Sequence, residues 1–432
     1  MKLSTQPYKG ARDFYPDQLR FQKFIFSVWR KVVESYGYEE YNAPILEASD
    51  LYYAKSGQEI VNEQTYNFED RGGRKITIRP EMTPSVSRMV ASKRQQLGYP
   101  LRLYSIPNLW RYERPQKGRL REHWQLNVDL FGIEGIEAEI EMLLISRDIM
   151  RAFNAKDSMY EILVNSRELT NLLMKEYLKL DSIQSNLLIK LLDRYHKISE
   201  KEFRISAVDI LDNDNEKLRK LSYLLKNESV ASLPEEISNT PEVAKVKEFL
   251  AKLELKGINN ASFDISLMRG FDYYTDIVFE IKDTNPENNR SMFGGGRYDG
   301  LVGLFGVEPV PTVGFGMGDV VIGDFLATHD LVPELRVETD AYIISIGDFQ
   351  NEADKIAQAL RKEGVNVAVD YSGKKIEKQL KTASAKKIPY VVFVGDKEVS
   401  EGKYNLKDLR SSKEERHSLE RIVSIVKDYR NN

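Results

Sequence analysis

The chain of 432 residues has no cysteine and only four histidines. Without thiols there can be no disulfide, no thiolate nucleophile and no Cys-based zinc site. His123, His196, His329 and His417 fall at no metal-ligand spacing, so no protein-held metal site is expected. No apolar run approaches the roughly 20 residues of a membrane span, and the amino terminus lacks a leader pattern. A cytoplasmic protein with no membrane partner is the expectation. A surplus of charge is also missing: the formal net charge is −3. Contact with nucleic acid would therefore depend on local basic patches. What is present, 41% apolar and 30% charged residues, suits a globular chain with ample core, and its length predicts two or three units.

Phe21, Phe24, Ile25, Val28, Trp29, Val32 and Val33 recur at helical spacing after Pro16, with Asp17 as candidate cap. Gly37 should stop this helix, and YEEYNAPILE reads as a strand that Pro44 places near a sheet edge. Two short strands around an Arg71-Gly72-Gly73 turn follow, then a helix from Met82 or Thr83. A helix over 137–153 and a strand over 160–166 come next. From about 167 to 257 the chain turns rich in Leu, Lys, Glu and Ser with helical periodicity, which predicts an all-helical insertion. Strands resume with ASFDISLM, TDIVFEI and PTVGFGMG. Beyond the polar connection 328–340, strands and helices alternate: helices are expected over 351–363 and 374–386, with a last one near 413–428. The expected fold is an α+β core, its mostly antiparallel sheet flanked by helices, with a helical insertion and a C-terminal α/β domain of parallel strands. Its boundaries are 1–166 and 258–328 for the core, 167–257 for the insertion and 340–432 for the last domain.

The densest chemistry lies in WRYERPQKGRLREHWQLNVDLFG, residues 110 to 132. Arg111, Arg114, Lys117, Arg119 and Arg121 crowd a Pro- and Gly-containing loop between two strands, a hairpin suited to gripping polyphosphate or nucleic acid. On the returning strand Gln125, Asn127 and Asp129 share one face by the period of two. Such a polar face on an apolar strand needs partners if buried, which points to a small polar ligand. Taken alone, a basic run of this kind reads better as a solvated, charged edge with no duty. Two further regions change that balance: ITIRPEMTPSVSRMV (76–90), and SLMRGFDYYTDIVFEI (266–281) followed by FGGGRYDGLV (293–302). Together these segments resemble the histidyl-tRNA synthetase family of class II aminoacyl-tRNA synthetases, over essentially the whole chain. The R-G-F-D-Y-Y segment is the most specific of them.

The resemblance implies ATP-dependent activation of L-histidine and its transfer to histidine tRNA, with Mg²⁺ as the accompanying ion. Joining a carboxylate to a phosphate brings two anions together, so fixed guanidinium groups are the natural catalysts. By resemblance Arg111 and Arg269 fill that catalytic role at the α-phosphate. Arg269 could otherwise be a surface ion pair with Asp272. Arg111, Glu113, Arg119 and His123 form the implied ATP site: Glu113 touches the adenine end, Arg119 meets the γ-phosphate and the His123 ring stacks on adenine. Glu81, Thr83, Gln125, Asp129, Tyr273 and Tyr274 are the implied histidine site. There Glu81 faces the ammonium, Asp129 one imidazole N–H and a tyrosine the other nitrogen. Gly294, Gly295 and Gly296 make a weak phosphate loop and more readily allow close backbone approach, with Arg297 and Tyr298 near the pocket. SGKK at 372–375 is likewise no nucleotide loop.

Arg114, Gln116 and Lys117 are implied to read the tRNA acceptor end, and the C-terminal domain the anticodon. Its Lys374, Lys375, Lys378, Lys381, Lys386 and Lys387 can face phosphates, although a solvated helix face explains each one singly as well. A homodimer is implied through the segment Phe21 to Ile45. One departure stands out: the family's third motif ends in an arginine, and Val321 occupies that place. Non-catalytic relatives, a regulatory subunit of ATP phosphoribosyltransferase and tRNA-sensing domains, are therefore the alternative. The retained Arg111, Glu113, Arg119 and Arg269 and the C-terminal domain favour an active ligase.

Overall fold

A computed structural model describes residues 3–53, 64–116, 118–226, 229–268, 273–288 and 290–431. Lys117 and residues 269–272, Arg269 among them, lie outside the described residues. The chain divides into two compact units, residues 1–332 and 333–432.

The first unit is built on a nine-stranded sheet. Its strands are β1 (Glu39–Glu40), β5 (Leu101–Ser105), β6 (Asn108–Trp110), β7 (Glu122–Phe131), β8 (Tyr160–Ser166), β9 (Ala261–Phe263), β10 (Ile277–Asp283), β11 (Ser291–Arg297) and β12 (Thr312–Gly318). They run in the order β1-β5-β7-β12-β11-β10-β8-β9, with β6 also paired to β7. Only β1 with β5 and β8 with β9 are parallel, so the sheet is mostly antiparallel, as the sequence predicts. A smaller sheet orders β2 (Leu46–Ala48), β4 (Lys75–Ile78) and β3 (Tyr66–Glu69).

Helix α1 (Pro16–Ser35) begins with proline at its first position, where the missing N–H costs nothing. Asp17 is not the cap: Tyr15 holds that place, and Asp17 sits in the first turn, where a negative charge suits the helix dipole. Ile25, Trp29 and Val33, four apart, share the buried face. Gly37, at φ +81°, lets the chain leave the helix. The single strand expected from YEEYNAPILE is instead two short strands in different sheets. Pro44 lies between them and has no N–H to give a ladder.

Between β8 and β9 the chain is helical, with helices over Ser182–Leu192, Glu200–Ile210, Asn215–Lys226 and Pro241–Leu255. Asp181 and Ser199 cap two of them through side-chain oxygens. Leu188, Phe203, Leu221 and Phe249 are buried in the core they share with the sheet.

In the second unit β13 (Ala341–Ser345), β14 (Val367–Val369) and β15 (Tyr390–Val394) are parallel, joined by helices over Gln350–Lys362 and Ile376–Ala385. The expected final helix near 413 is corrected. Glu414–His417 forms β17, antiparallel to β16 (Tyr404–Asp408), and the helix runs over Leu419–Asn431. The polar EERH segment has no apolar stripe to bury as a helix. As an edge strand it gains ladder bonds, and Arg416 donates to Asn405 Oδ1 at 3.0 Å.

One buried ion pair ties the sheet to helix α2 (Glu137–Ala152). Arg297 on β11 grips Glu139 with Nε at 2.7 Å and Nη2 at 2.8 Å, and also donates to the carbonyls of Ile133 and Gly135. Arg297 is thus spent on packing, and it is Tyr298 beside it that lines the cleft described below. Removing one partner of a buried pair strands the other charge. Glu139→Ala should therefore destabilise the first unit by about 3–5 kcal/mol, read as a lower urea midpoint. A loss under about 1 kcal/mol would mean Arg297 finds other partners.

Candidate active site

Strand β7 delivers Gln125, Asn127 and Asp129 to a single cleft, together with Glu81, Thr83, Arg111, Tyr273, Tyr274 and Tyr298. The space among these side chains is about 410 Å³, open solvent at its mouth included. Its floor is glycine by necessity. A Cβ on Gly314 would run into the Asp129 carboxylate and the Tyr298 hydroxyl, and one on Gly316 into the Gln125 amide. Both belong to β12, paired with β7 in the register Gly314 with Asp129. The three glycines noticed in the sequence, Gly294 to Gly296, lie on β11 and form no phosphate loop: a Cβ on Gly295 would meet the Gly314 carbonyl, and one on Gly296 the Ile277 carbonyl and the Tyr274 ring.

Asp129 is buried at the centre. Tyr298 donates its hydroxyl to Oδ1. The Tyr41 hydroxyl lies near enough to act on the carboxylate but outside direct hydrogen-bond geometry. Oδ2 accepts no hydrogen bond among the described residues. Burial pushes this carboxyl up to about 7, against the opposing pull of the Tyr298 and Tyr41 hydroxyls. Across the cleft the Tyr273 hydroxyl donates to Glu81 Oε2 at 3.2 Å. The Tyr273 ring lies 5.0 Å from that of Tyr274 and 5.6 Å from that of Tyr298. Thr83 opens the helix Thr83–Ser92, and Pro84 fits its first turn.

The cations gather at one end. Strand β6 stops at Trp110, so Arg111 and Glu113 lie beyond it and share no strand face. A local bond from Glu113 N to Arg111 O (2.8 Å) still brings the two side chains together. Glu113 lies between Arg111 Nη1 (4.0 Å) and Arg119 Nη1 (3.6 Å). Arg111 Nε donates to Pro80 O at 2.9 Å, which aims the guanidinium from the base of the cleft. Arg114, Gln116 and Arg119 are exposed on the loop, which Gln116 and Arg119 close by mutual backbone bonds. Arg121 leaves the set: its guanidinium is 4.0 Å from the Tyr112 ring and donates to Tyr8. His123 lies outside the Glu81–Asp129 cleft but next to Arg111. Burial and the charges of Arg111 and Arg12 press its ring down to about 3, so it is neutral. Val321 faces Gly118 of the loop, where Arg290 and Asp324 also converge.

Asn127 and Tyr298 line the cleft without having been assigned a role from sequence. The period of two pointed to the first and the neighbouring motif to the second. Nothing local pointed to Tyr41.

A single architecture therefore presents a carboxylate-lined pocket for a small polar ligand beside a row of guanidinium groups on a basic hairpin, the arrangement of an enzyme joining an anion to a polyphosphate. The family model for histidyl-tRNA synthetase matches residues 10–318, and that for an anticodon binding domain matches 340–429. Histidine–tRNA ligase of Leptospira biflexa is 42% identical over 99% of this chain and 98% of its own length. That of Thermoplasma volcanium is 36% identical over 98% and 99%. The crystal structure of histidyl-tRNA synthetase from Nostoc shares the fold, with a TM-score of 0.82 at 21% identity, covering 99% of this chain and 100% of that one. The chain belongs to the histidyl-tRNA synthetase family.

A carboxyl whose pKa is higher folded than unfolded stabilises the fold fully below its unfolded value and loses that contribution as pH rises to the folded one. For Asp129 the window runs from roughly 4, the unfolded value, to about 7. Relative to Asp129→Asn, which cannot titrate, the ligand-free wild type should lose roughly 2 kcal/mol between about pH 5 and pH 7. Urea unfolding across that range measures it, and parallel curves for the two proteins would refute the shift.

Proposed function

We propose that this chain joins L-histidine to ATP as histidyl-adenylate, releasing diphosphate, and passes the histidyl group to histidine tRNA, releasing AMP. The observation that carries this reading is Oδ2 of Asp129, buried in the cleft without a partner, the acceptor an imidazole N–H needs. Full-length relatives bearing the ligase name support it, and the non-catalytic alternative finds no support.

In this reading Asp129 takes one ring N–H, and Tyr274 meets the other nitrogen while Tyr273 packs the ring. Glu81 draws the ammonium, Gln125 and Thr83 complete the polar wall, and the histidine carboxylate is left pointing at the cations. That carboxylate attacks the α-phosphorus of ATP, and the bond to the β-phosphate oxygen breaks in line. Arg111, with Arg269, neutralises charge that grows on the α-phosphate oxygens, where fixed donors act most strongly. Arg119 meets the far phosphate, and Mg²⁺ is carried in on the polyphosphate as part of the substrate. Glu113 and the neutral His123 ring receive the adenosine end. In the second step a terminal ribose hydroxyl of tRNA attacks the histidyl carbonyl and AMP leaves. A pocket that hydrogen-bonds its ligand rejects apolar analogues by about 10⁴ or more, since its own groups would stay unpaired.

The exposed Arg114 and Gln116, with Lys117, suit the tRNA acceptor end. The six lysines from Lys374 to Lys387 are all exposed and suit anticodon phosphates. Among the described residues no helix is long and apolar enough to cross a membrane, and work on tRNA suits the cytoplasm.

ATP–diphosphate exchange against a panel of amino acids tests the central reading. Histidine alone should support exchange. Aminoacylation of histidine tRNA should weaken in Lys378→Glu while exchange stays unchanged. Folded protein that binds histidine yet gives no exchange would sink the assignment.

A homodimer is part of the proposal. Helix α1 spends Ile25, Trp29 and Val33 inside its own unit, so within Phe21 to Ile45 the exposed apolar surface centres on Ile45, continued by Leu46 and Phe68 of the small sheet. Light scattering should give twice the chain mass, and a monomer at working concentration would exclude it.

A further inference from the structure

Away from the cleft, a histidine, a serine and an aspartate join the helical insertion to the chain that leads into the R-G-F-D-Y-Y segment. His196 Nε2 lies 2.9 Å from Ser266 Oγ and 3.5 Å from Asp264 Oδ2. Ser266 donates its hydroxyl to Asp264 Oδ1 at 2.7 Å. A hydroxyl has one proton. With that proton on Asp264, His196 must carry its own on Nε2 and donate it to Oγ. The order of donors rules out Ser266 as an activated nucleophile, because no base faces its proton except a carboxylate already holding it. Ser266 is also buried, at 5% exposure. Burial alone would raise the Asp264 carboxyl, yet the nearby His196 ring and the hydrogen bonds from the Ser266 hydroxyl and backbone N–H hold it below the usual range. It therefore stays an anion and keeps the chain of bonds in place.

The two ends of this cluster belong to different parts of the first unit. His196 sits in a short turn of the insertion, its ring 5.0 Å from Tyr195, which packs at 4.9 Å on Phe203. Asp264 and Ser266 follow β9. Asn165 of β8 holds the same stretch from the other side, donating to the carbonyls of Ile265 (3.3 Å) and Leu267 (3.1 Å). The stretch is thus gripped at successive residues up to Leu267. Arg269 follows two residues later in the sequence, and Tyr273 and Tyr274 line the cleft.

We propose that His196 is a positioning residue. Through Ser266 and Asp264 it ties the helical insertion to the stretch from which Arg269, Tyr273 and Tyr274 depart, so the placement of the insertion sets the rate of histidine activation. This rests on the histidine-activation reading above. Displacement of a catalytic group by about 1 Å can cost up to about 10²-fold in rate, so a partial loosening should be readily measured.

The test is ATP–diphosphate exchange by the full chain, with His196→Ala, Ser266→Ala, the double variant and His196→Gln. The His196 side chain is 60% exposed, so its removal leaves the core filled, and thermal unfolding checks each variant. Each single alanine variant should lower kcat about 10-fold and raise the KM for histidine, whose pocket Tyr273 and Tyr274 line, while the KM for ATP stays within about 2-fold. The double variant should fall no further than either single, since both remove one chain of bonds. His196→Gln, whose amide can donate to Oγ, should recover most of the rate. Normal kcat in either single variant, losses that multiply in the double, or a glutamine variant no better than alanine would each overturn the proposal. Wild-type protein without histidine-dependent exchange would instead remove the reading on which it rests.

Discussion

The close approach of β12 to β7 underlies everything polar in the cleft. Asp129 and Gln125 lie inside a sheet, where side chains from the neighbouring strand would normally fill the space above them. Gly314 and Gly316 leave that space open. The cost is a buried carboxylate, which a low-dielectric surrounding disfavours. Tyr298 offsets part of that cost by donating to one oxygen and leaves the other for a ligand. A site that is unsatisfied when empty is selective for a ligand with a matching donor, because an apolar competitor leaves the same atom stranded.

Charged groups elsewhere in the first unit are spent on holding this arrangement still. Asp319, at the start of the helix Asp319–Thr328, accepts from Arg12 at 2.8 Å, from Gln22 of α1 at 3.0 Å and from the Trp124 backbone at 3.0 Å. One carboxylate thus fixes the chain before α1, α1 itself and the strand carrying His123 and Gln125. Arg297 with Glu139 does the same between the glycine strand β11 and α2. Buried pairs of this kind add little net stability, but each member makes the other obligatory.

Val321, which the sequence puts at the third-motif position, lies against Gly118 of the basic loop and does not line the Glu81–Asp129 cleft. The Glu81–Asp129 cleft is built largely on β7, β11 and β12, whereas Arg114 and Arg119 stand exposed on the loop.

Periodicity and motif spacing alone determined the helix α1, the hairpin around the basic loop, the antiparallel core sheet and the common face of Gln125, Asn127 and Asp129. These are regularities of a few residues, and backbone geometry converts them directly into faces and turns. The segments 76–90 and 266–302 likewise carried the family. Only the tertiary structure decided which of the charged residues are free to act. Arg121 and Arg297 look like their neighbours in sequence, yet one is stacked on tyrosines and the other locked to Glu139. Arg111 and Glu113 meet through a turn and not along a strand. The charge state of Asp129 depends on Tyr298, 169 positions away, and on Tyr41. The bonds of His196 to Ser266 span 70 positions. Desolvation and long-range hydrogen bonds arise only when distant segments pack, and no local pattern in the chain encodes them.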